Sequence, residues 1–226
     1  YWSSNLLTVM RLQVTVLSEI RHPNVVLLMA ACLKPPQLCL VLEWCAGGSL
    51  YDLLHRGRQD IPKPQLLSLA EGMAAGLTFL HSASPPIVHR DIKSQNVLLD
   101  KAASSSKLCD FGLAVKLSEA ATTNAAAGTP SYMSPELFSG GAFALGSDTY
   151  AFGVTLNEMF SREMPFGALE LMEVKDKVCN GERPAVSLTC PRQVSQIIKE
   201  CWGQSSGSRP PMSDVLRMLR QCKGTL

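Results

Sequence analysis

The sequence predicts an α+β fold in two unequal parts: a small first part with one helix and a β-hairpin, and a large, mainly helical second part. Three observations predict it. Two apolar, β-compatible runs, 25–31 and 38–43, flank a turn containing Pro35 and Pro36. After Pro64, the residues Leu66, Leu69, Met73, Leu77 and Leu80 recur three or four apart, on one helical face. The stretch 149–160 is almost wholly apolar, as expected of a helix buried on all sides.

Each element has a local reason. From Leu6 to Ile20, Met10, Val14 and Leu17 recur at helical spacing, and Arg21-His22-Pro23 ends the helix. The apolar run from Val25 to Leu33 is nine residues long and reads as a buried strand. A bilayer span would need roughly 20. Gly47 and Gly48 break the second strand, and Ser49 is placed to cap a short helix from near Leu50. Pro64 suits the first turn of the next helix. From Ile87 to Asp110 short apolar pieces alternate with polar turns, and Ser104-Ser105-Ser106 reads as a flexible hairpin tip. Residues 116–131 are rich in Ala, Thr and Ser and read as a mobile loop. Beyond Pro135 the chain reads as helical again, closing with amphipathic helices over 194–202 and 214–219. No internal repeat stands out.

The totals narrow the function. A chain of 226 residues, 46% hydrophobic and 18% charged, can bury a sizeable core. Its formal charge of +2 argues against a dedicated nucleic-acid binder. The N-terminus has no basic region followed by an apolar stretch, so no signal peptide is expected. The eight cysteines (Cys32, Cys39, Cys45, Cys109, Cys179, Cys190, Cys201 and Cys222) include no CxxC pair and no metal-like spacing with the four histidines. Seven are expected to be buried thiols in a reducing compartment, with the cytoplasm as the default location.

The chemistry concentrates at 89–112, HRDIKSQNVLLDKAASSSKLCDFG. Asp91 and Asn96 share one loop, and Asp110 follows a short hairpin. An acid, an amide and a second acid suit a site that orients a hydroxyl and grips a divalent metal on phosphate oxygens. Alone, Asp91 would read as a loop cap. Lys93 and Asn96 beside it favour the catalytic reading, with Lys93 supplying charge for a phosphoryl group. His89, flanked by Ile87 and Val88, reads as a packed structural histidine. Gly112 supplies backbone freedom after Asp110, and Phe111 an apolar anchor.

HRD at 89–91, DFG at 110–112 and GTPSYMSPE at 128–136 resemble the catalytic core of a eukaryotic protein kinase. The segments RHPNVVLLMAAC, LEWCAGGSLYDLLH and CW-x-x-x-x-x-x-RP are similar to the tyrosine-kinase-like group of serine/threonine kinases, which includes Raf-like and mixed-lineage kinases. The resemblance runs from about residue 5 to about 221, with Ser134 where the family usually has Ala. It implies a two-lobed kinase fold over 1–226, with 1–45 a partial first lobe and 46–226 a complete second lobe. It implies transfer of the ATP γ-phosphate to Ser or Thr of a protein substrate, with Mg²⁺ held by Asn96 and Asp110 and Asp91 acting on the attacking hydroxyl. Thr129 with Lys93 is the serine/threonine pattern. By the same resemblance Leu42 is the gatekeeper, the backbone of Glu43 and Cys45 meets adenine, and Leu98 lies under the ring. Cys109 lies against that pocket, with an inert buried thiol as the equal alternative. His89 joins the core spine, Glu136 pairs with Arg209, and Asp148 holds the catalytic loop. Arg90 is expected to receive a phosphate from Thr122 or Thr123. No nucleic-acid partner or membrane span is implied.

The pattern departs at the front. The sequence has no Gly-rich phosphate loop and no V-A-I-K lysine, and Gln13 stands where a helix glutamate normally pairs with that lysine. Glu19 lies six residues on, about 600° of helical rotation away and on another face. Two readings stay open: a piece of a longer active kinase, favoured by Lys93, Asn96 and Asp110, and a pseudokinase-like scaffold, favoured by Gln13. A small-molecule phosphotransferase is disfavoured by GTPSYMSPE and Arg209. Residues 1–226 alone are expected to bind ATP weakly and transfer no phosphate.

Overall fold

The computed structural model describes residues 4–34, 36–57, 60–120, 128–167 and 169–223. Helix α1 (Ser4–Glu19) buries Met10, Val16 and Leu17. Arg21 closes it by donating to the carbonyls of Leu17 and Ile20, at 3.2 and 2.7 Å. Strands β1 (Leu28–Cys32) and β2 (Cys39–Leu42) then form the expected antiparallel hairpin, with a register slip between Leu28 and Ala30.

The hairpin is not the buried element its apolar run predicts. Met29 is 65% exposed and Val41 46%. The buried part of the run is Val25, Val26 and Leu28, where the backbone of Val26 donates to Leu108 at 2.9 Å and the chain lies along the second part of the fold. An unbroken apolar run has no alternation from which to tell such a segment from a hairpin arm.

Ser49 caps as expected. Its hydroxyl accepts from the Asp52 N–H at 3.1 Å, and the Asp52 carboxylate accepts in return from the Ser49 N–H at 3.2 Å. A short π-helical turn, Asp52–Arg56, follows. Helix α2 (Lys63–His81) buries the predicted stripe and also Leu67, Ala70 and Ala74, because neighbours cover more than one face. Strand β3 (Ile87–Val88) is followed by a 3₁₀ turn at Ser94–Asn96, then β4 (Val97–Leu99) and β5 (Ser106–Leu108), which pair antiparallel.

The serine tip between β4 and β5 is tied down. The Asp100 carboxylate accepts from the N–H groups of Ser104 and Ser105 at 2.7 and 2.8 Å, and buried Ser106 donates to the Leu69 carbonyl at 2.7 Å. The reading of 116–131 as one loop changes at its two ends, while 121–127 lie outside the described residues. Strand β6 (Val115–Lys116) pairs with β3, helix α3 (Leu117–Ala120) follows, and Pro130–Tyr132 is a 3₁₀ turn.

Helices α4 (Pro135–Phe138), α5 (Leu145–Ser161), α6 (Leu171–Cys179), α7 (Arg192–Cys201) and α8 (Met212–Lys223) complete the chain. Helix α5 is buried from Ser147 through Phe160 and packs against α2 and α7, while α8 lies along α2. One hydrophobic core runs from Val16 and Leu17 of α1 through α2 and α5 to α8. The cysteine expectation is corrected: Cys109, Cys201 and Cys222 are buried, Cys39 is exposed and the other four are half-buried. Cys32 and Cys39 lie in the open hairpin, and Cys179 and Cys190 border helix ends. Among the described residues no helix is long and apolar enough to cross a membrane.

Candidate active site

The first turn of α5 begins the site. Asp148 is buried, and its carboxylate accepts from the backbone N–H groups of His89 at 2.8 Å and Arg90 at 2.9 Å. The ring Nε2 of His81 lies 2.9 Å from the same carboxylate. Burial pushes the Asp148 carboxyl up, but the His81 hydrogen bond and the neighbouring histidines outweigh it and leave it below its ordinary value. The clamp holds Arg90 at φ 73°, a conformation uncommon for a residue with a Cβ. The Arg90 guanidinium rests over the Phe143 ring at 4.2 Å.

His89 is fully buried, with Nε2 3.0 Å from the Cys109 carbonyl and its ring 4.8 Å from that of Phe111. Burial lowers its pKa, so the neutral imidazole donates Nε2–H to that carbonyl. The HRD and DFG segments are thereby joined. A second tie runs from the Cys109 N–H to the Asn96 carbonyl at 3.0 Å.

Four of the predicted residues meet at one carboxylate. Asp91 Oδ2 accepts from Lys93 Nζ at 2.7 Å and Asn96 Nδ2 at 2.8 Å, while Oδ1 accepts from the Thr129 hydroxyl at 2.8 Å. Lys93 Nζ also donates to Thr129 Oγ1 at 2.7 Å. Asn96 Nδ2 donates again to the Asp91 carbonyl at 2.9 Å. With its amide nitrogen spent on Asp91, Asn96 keeps its amide oxygen as a possible ligand.

Asp110 is exposed and sits at φ 59°. Its Oδ1 accepts from the Gly112 N–H and from Gln13 Nε2, both at 3.3 Å. Gln13 therefore meets the acid of DFG. In sequence Gln13 stands out only against a missing lysine, yet an amide can donate where a glutamate cannot. A Cβ on Gly112 would stand 2.8 Å from Gln13 Nε2 and 3.2 Å from Val9 Cγ1, so glycine lets α1 close on this segment.

Arg209 donates to both oxygens of Glu136, each at 2.7 Å, and to the Gly203 carbonyl at 2.8 Å. Burial pushes the Glu136 carboxyl up, but hydrogen bonds from Arg209 and Ser134 bring it below its usual range. Ser134, where the family usually has Ala, donates to Glu136 at 2.7 Å. Sequence reasoning also missed Glu158. It is buried in α5 and meets Ser94 Oγ at 2.6 Å, His55 Nε2 at 2.9 Å and Tyr132 OH at 2.9 Å. A lone acid inside the apolar run 149–160 was the only hint.

Leu42 ends β2, followed by Glu43 and Cys45. Glu43 Oε1 accepts from the Leu27 N–H at 2.7 Å and from Lys107 Nζ at 3.0 Å, and Lys107 opposes Leu98 across β4 and β5. Gly47 and Gly48 hydrogen-bond to Leu99, which pins this connecting segment beside Leu98. Cys109 is buried, and burial pushes its thiol up to about 12, so it is protonated at neutral pH. Thr122 and Thr123 lie outside the described residues.

The oxygen donors at Asn96 and Asp110 suit a hard cation. Among the described residues no three His, Cys, Asp or Glu side chains gather to hold a metal by themselves.

Fold and site define a protein kinase domain. Residues 3–219 match the family described as protein tyrosine and serine/threonine kinase, and the chain belongs to that family. A probable serine/threonine-protein kinase of Dictyostelium discoideum is 39% identical over 212 residues, covering 93% of this chain and 23% of that protein. The serine/threonine-protein kinase CTR1 of Arabidopsis thaliana is 39% identical over 212 residues, covering 92% and 26%. The dual specificity protein kinase shkC of Dictyostelium discoideum is 36% identical over 218 residues, covering 94% and 43%. The chain thus spans about a quarter of the length of the first two.

Proposed function

We propose that this chain is the greater part of the catalytic domain of a serine/threonine kinase of the tyrosine-kinase-like group, with 1–45 contributing to the first lobe and 46–226 forming the second. The reaction is transfer of the ATP γ-phosphate to a Ser or Thr hydroxyl of a protein. The observation that carries the reading is the Asp91 carboxylate held by Lys93, Asn96 and Thr129.

In this reading Asp91 Oδ1, where Thr129 now donates, is the acceptor for the substrate hydroxyl proton. Lys93, 2.7 Å from Asp91, sits where its charge can stabilise the phosphoryl group as negative charge spreads over it. Asn96 and Asp110 hold Mg²⁺, which supplies charge neutralisation on the phosphates. Backbone groups of Glu43 and Cys45 face adenine, next to Leu42, with Leu98 beneath. Asp148 fixes the loop so that Asp91 does not need to reorganise, which is the larger part of electrostatic catalysis. Phosphate on Thr122 or Thr123 is received by Arg90. A scaffold without phosphotransfer is the less favoured reading, since Asp91, Asn96 and Asp110 keep the chemistry such a scaffold would not need.

The test uses the full-length protein, Mg²⁺-ATP labelled at the γ-phosphate and a Ser/Thr-containing acceptor protein. Wild type transfers label, and Asp91→Ala abolishes transfer while keeping the circular dichroism spectrum of the folded protein. Equal transfer by both would overturn the assignment.

A further inference from the structure

Cys32 and Cys39 are partners in the β1–β2 register, directly opposed across the hairpin. No other two of the eight cysteines are opposed in a described sheet. Directly opposed residues in antiparallel strands place their Cα atoms about 4.5–5.5 Å apart and share one face. A disulfide spans Cα separations of about 4.4–6.8 Å. The backbone is therefore already set for a bond between these two sulfurs.

The pair is also reachable. Cys39 is exposed and Cys32 half-exposed, and Ala30 and Val41, two residues away on the same face, are exposed as well. The other cysteines differ in kind. Cys109, Cys201 and Cys222 are buried. In a reducing compartment a disulfide of this sort is transient and redox-sensing rather than structural.

We propose that Cys32 and Cys39 form a reversible cross-strand disulfide, a modification site separate from the phosphotransfer machinery, with a peroxide as oxidant. The more exposed Cys39 thiolate attacks a peroxide oxygen. The O–O bond breaks, leaving a sulfenic acid on Cys39 and releasing hydroxide. The Cys32 thiolate then attacks the Cys39 sulfur, the S–O bond breaks and a second hydroxide leaves. The two thiol protons complete two waters. In sum, two thiols and one hydrogen peroxide give one disulfide and two waters. A dithiol reverses the step by exchange.

The sequence makes the test direct, because chymotrypsin can cut after Leu33 and Leu38 and so separate the two cysteines. The full-length protein is treated with hydrogen peroxide, alkylated, digested without reduction and analysed by mass spectrometry. The expected result is a cross-linked peptide pair lighter by two hydrogens than its reduced parts. It should disappear on dithiothreitol treatment and in either Cys32→Ser or Cys39→Ser. Amide exchange across 28–42 should slow on oxidation in wild type and stay unchanged in both variants. Finding both thiols singly alkylated after peroxide would overturn the proposal. So would finding Cys39 joined only to Cys39 of a second copy.

Discussion

At Asp148 a single carboxylate satisfies two backbone N–H groups and a histidine, which shows how much of this site rests on buried acids. Buried Glu158 plays the same part for the Ser94–His55–Tyr132 group, and half-buried Glu136 compensates the buried Arg209. Removing a partner from such a pair is costly, because the remaining charge keeps its burial and loses its compensation. Arg209→Ala, however, leaves behind Glu136, which is half-buried and can regain water, so the expected loss is about 1.5–3 kcal/mol, measured by urea unfolding. Asp110 is the contrast. It is exposed, and Asp110→Asn should leave the melting temperature within a degree or two, about the effect of an ordinary surface change, while abolishing Mg²⁺-ATP-dependent transfer in the full-length protein. His89 makes a pH prediction. Burial lowers its folded pKa below 6.5, so its contribution is fully present above about 6.5. As pH falls below that value the unfolded chain takes up a proton the folded one resists, and stability is lost. Melting temperature should therefore fall between pH 7 and 5, and His89→Gln should flatten that slope although it lowers the plateau. At this scale the local motifs single out Asp91, Lys93 and Asn96, which the structure brings to one carboxylate, and Asp110. They do not show Gln13 on Asp110 or Ser94 on Glu158, because those contacts join residues 97 and 64 positions apart, and only packing brings them together.

Among the elements, the long helices were legible because 3.6-residue periodicity repeats often enough to be seen, as in α2, α7 and α8. The short ones were not. Strands of two or three residues such as β3 and β6 bury too little to leave a pattern, and α3 hides in a stretch rich in small and polar residues. The hairpin was found, but its burial was misjudged, since a run of nine apolar residues says nothing about which side is covered. Helix α5 shows the reverse case, where an all-apolar reading was correct and the structure adds its tolerance. Gly153 faces α7, and a Cβ there would stand 2.7 Å from Cys201 Cβ and 3.2 Å from the Trp202 nitrogen. Gly153→Ala should gain about 1 kcal/mol of helix propensity. Overpacking against a backbone-anchored atom costs about 1–3 kcal/mol, so the net effect should be a loss of stability. Denaturant midpoints of the variant and wild type decide the sign; a higher midpoint for Ala would mean that α5 and α7 part more easily than their packing suggests.

Over the whole molecule, the core that joins α1 to α8 contrasts with the surface of the hairpin beside it. Leu27, Met29, Val41, Leu42 and Trp44 are all at least 36% exposed, with Trp44 at 88%, and Leu6 and Val9 of α1 are exposed as well. Clustered exposure of large apolar side chains on a short sheet favours association, and the hairpin offers open strand edges besides. A polypeptide limited to residues 1–226 also carries no Gly-rich loop and no strand lysine, so the phosphates of ATP would meet only Mg²⁺ ligands and Lys93. A charge-assisted contact is worth about 1.5–3 kcal/mol, and several are missing together, so affinity should fall by several powers of ten below that of a complete kinase domain. Residues 1–226 expressed alone are therefore expected to show no phosphate transfer and no micromolar binding of Mg²⁺-ATP by calorimetry. They should also elute in light-scattering chromatography as species larger than a monomer. Met29→Lys with Val41→Lys should shift that distribution toward monomer without restoring nucleotide binding, because the two defects have separate causes. If the double variant stayed associated, the contact would lie elsewhere on the molecule; if the unaltered polypeptide bound Mg²⁺-ATP at micromolar concentration, the second part of the fold would hold the phosphates unaided.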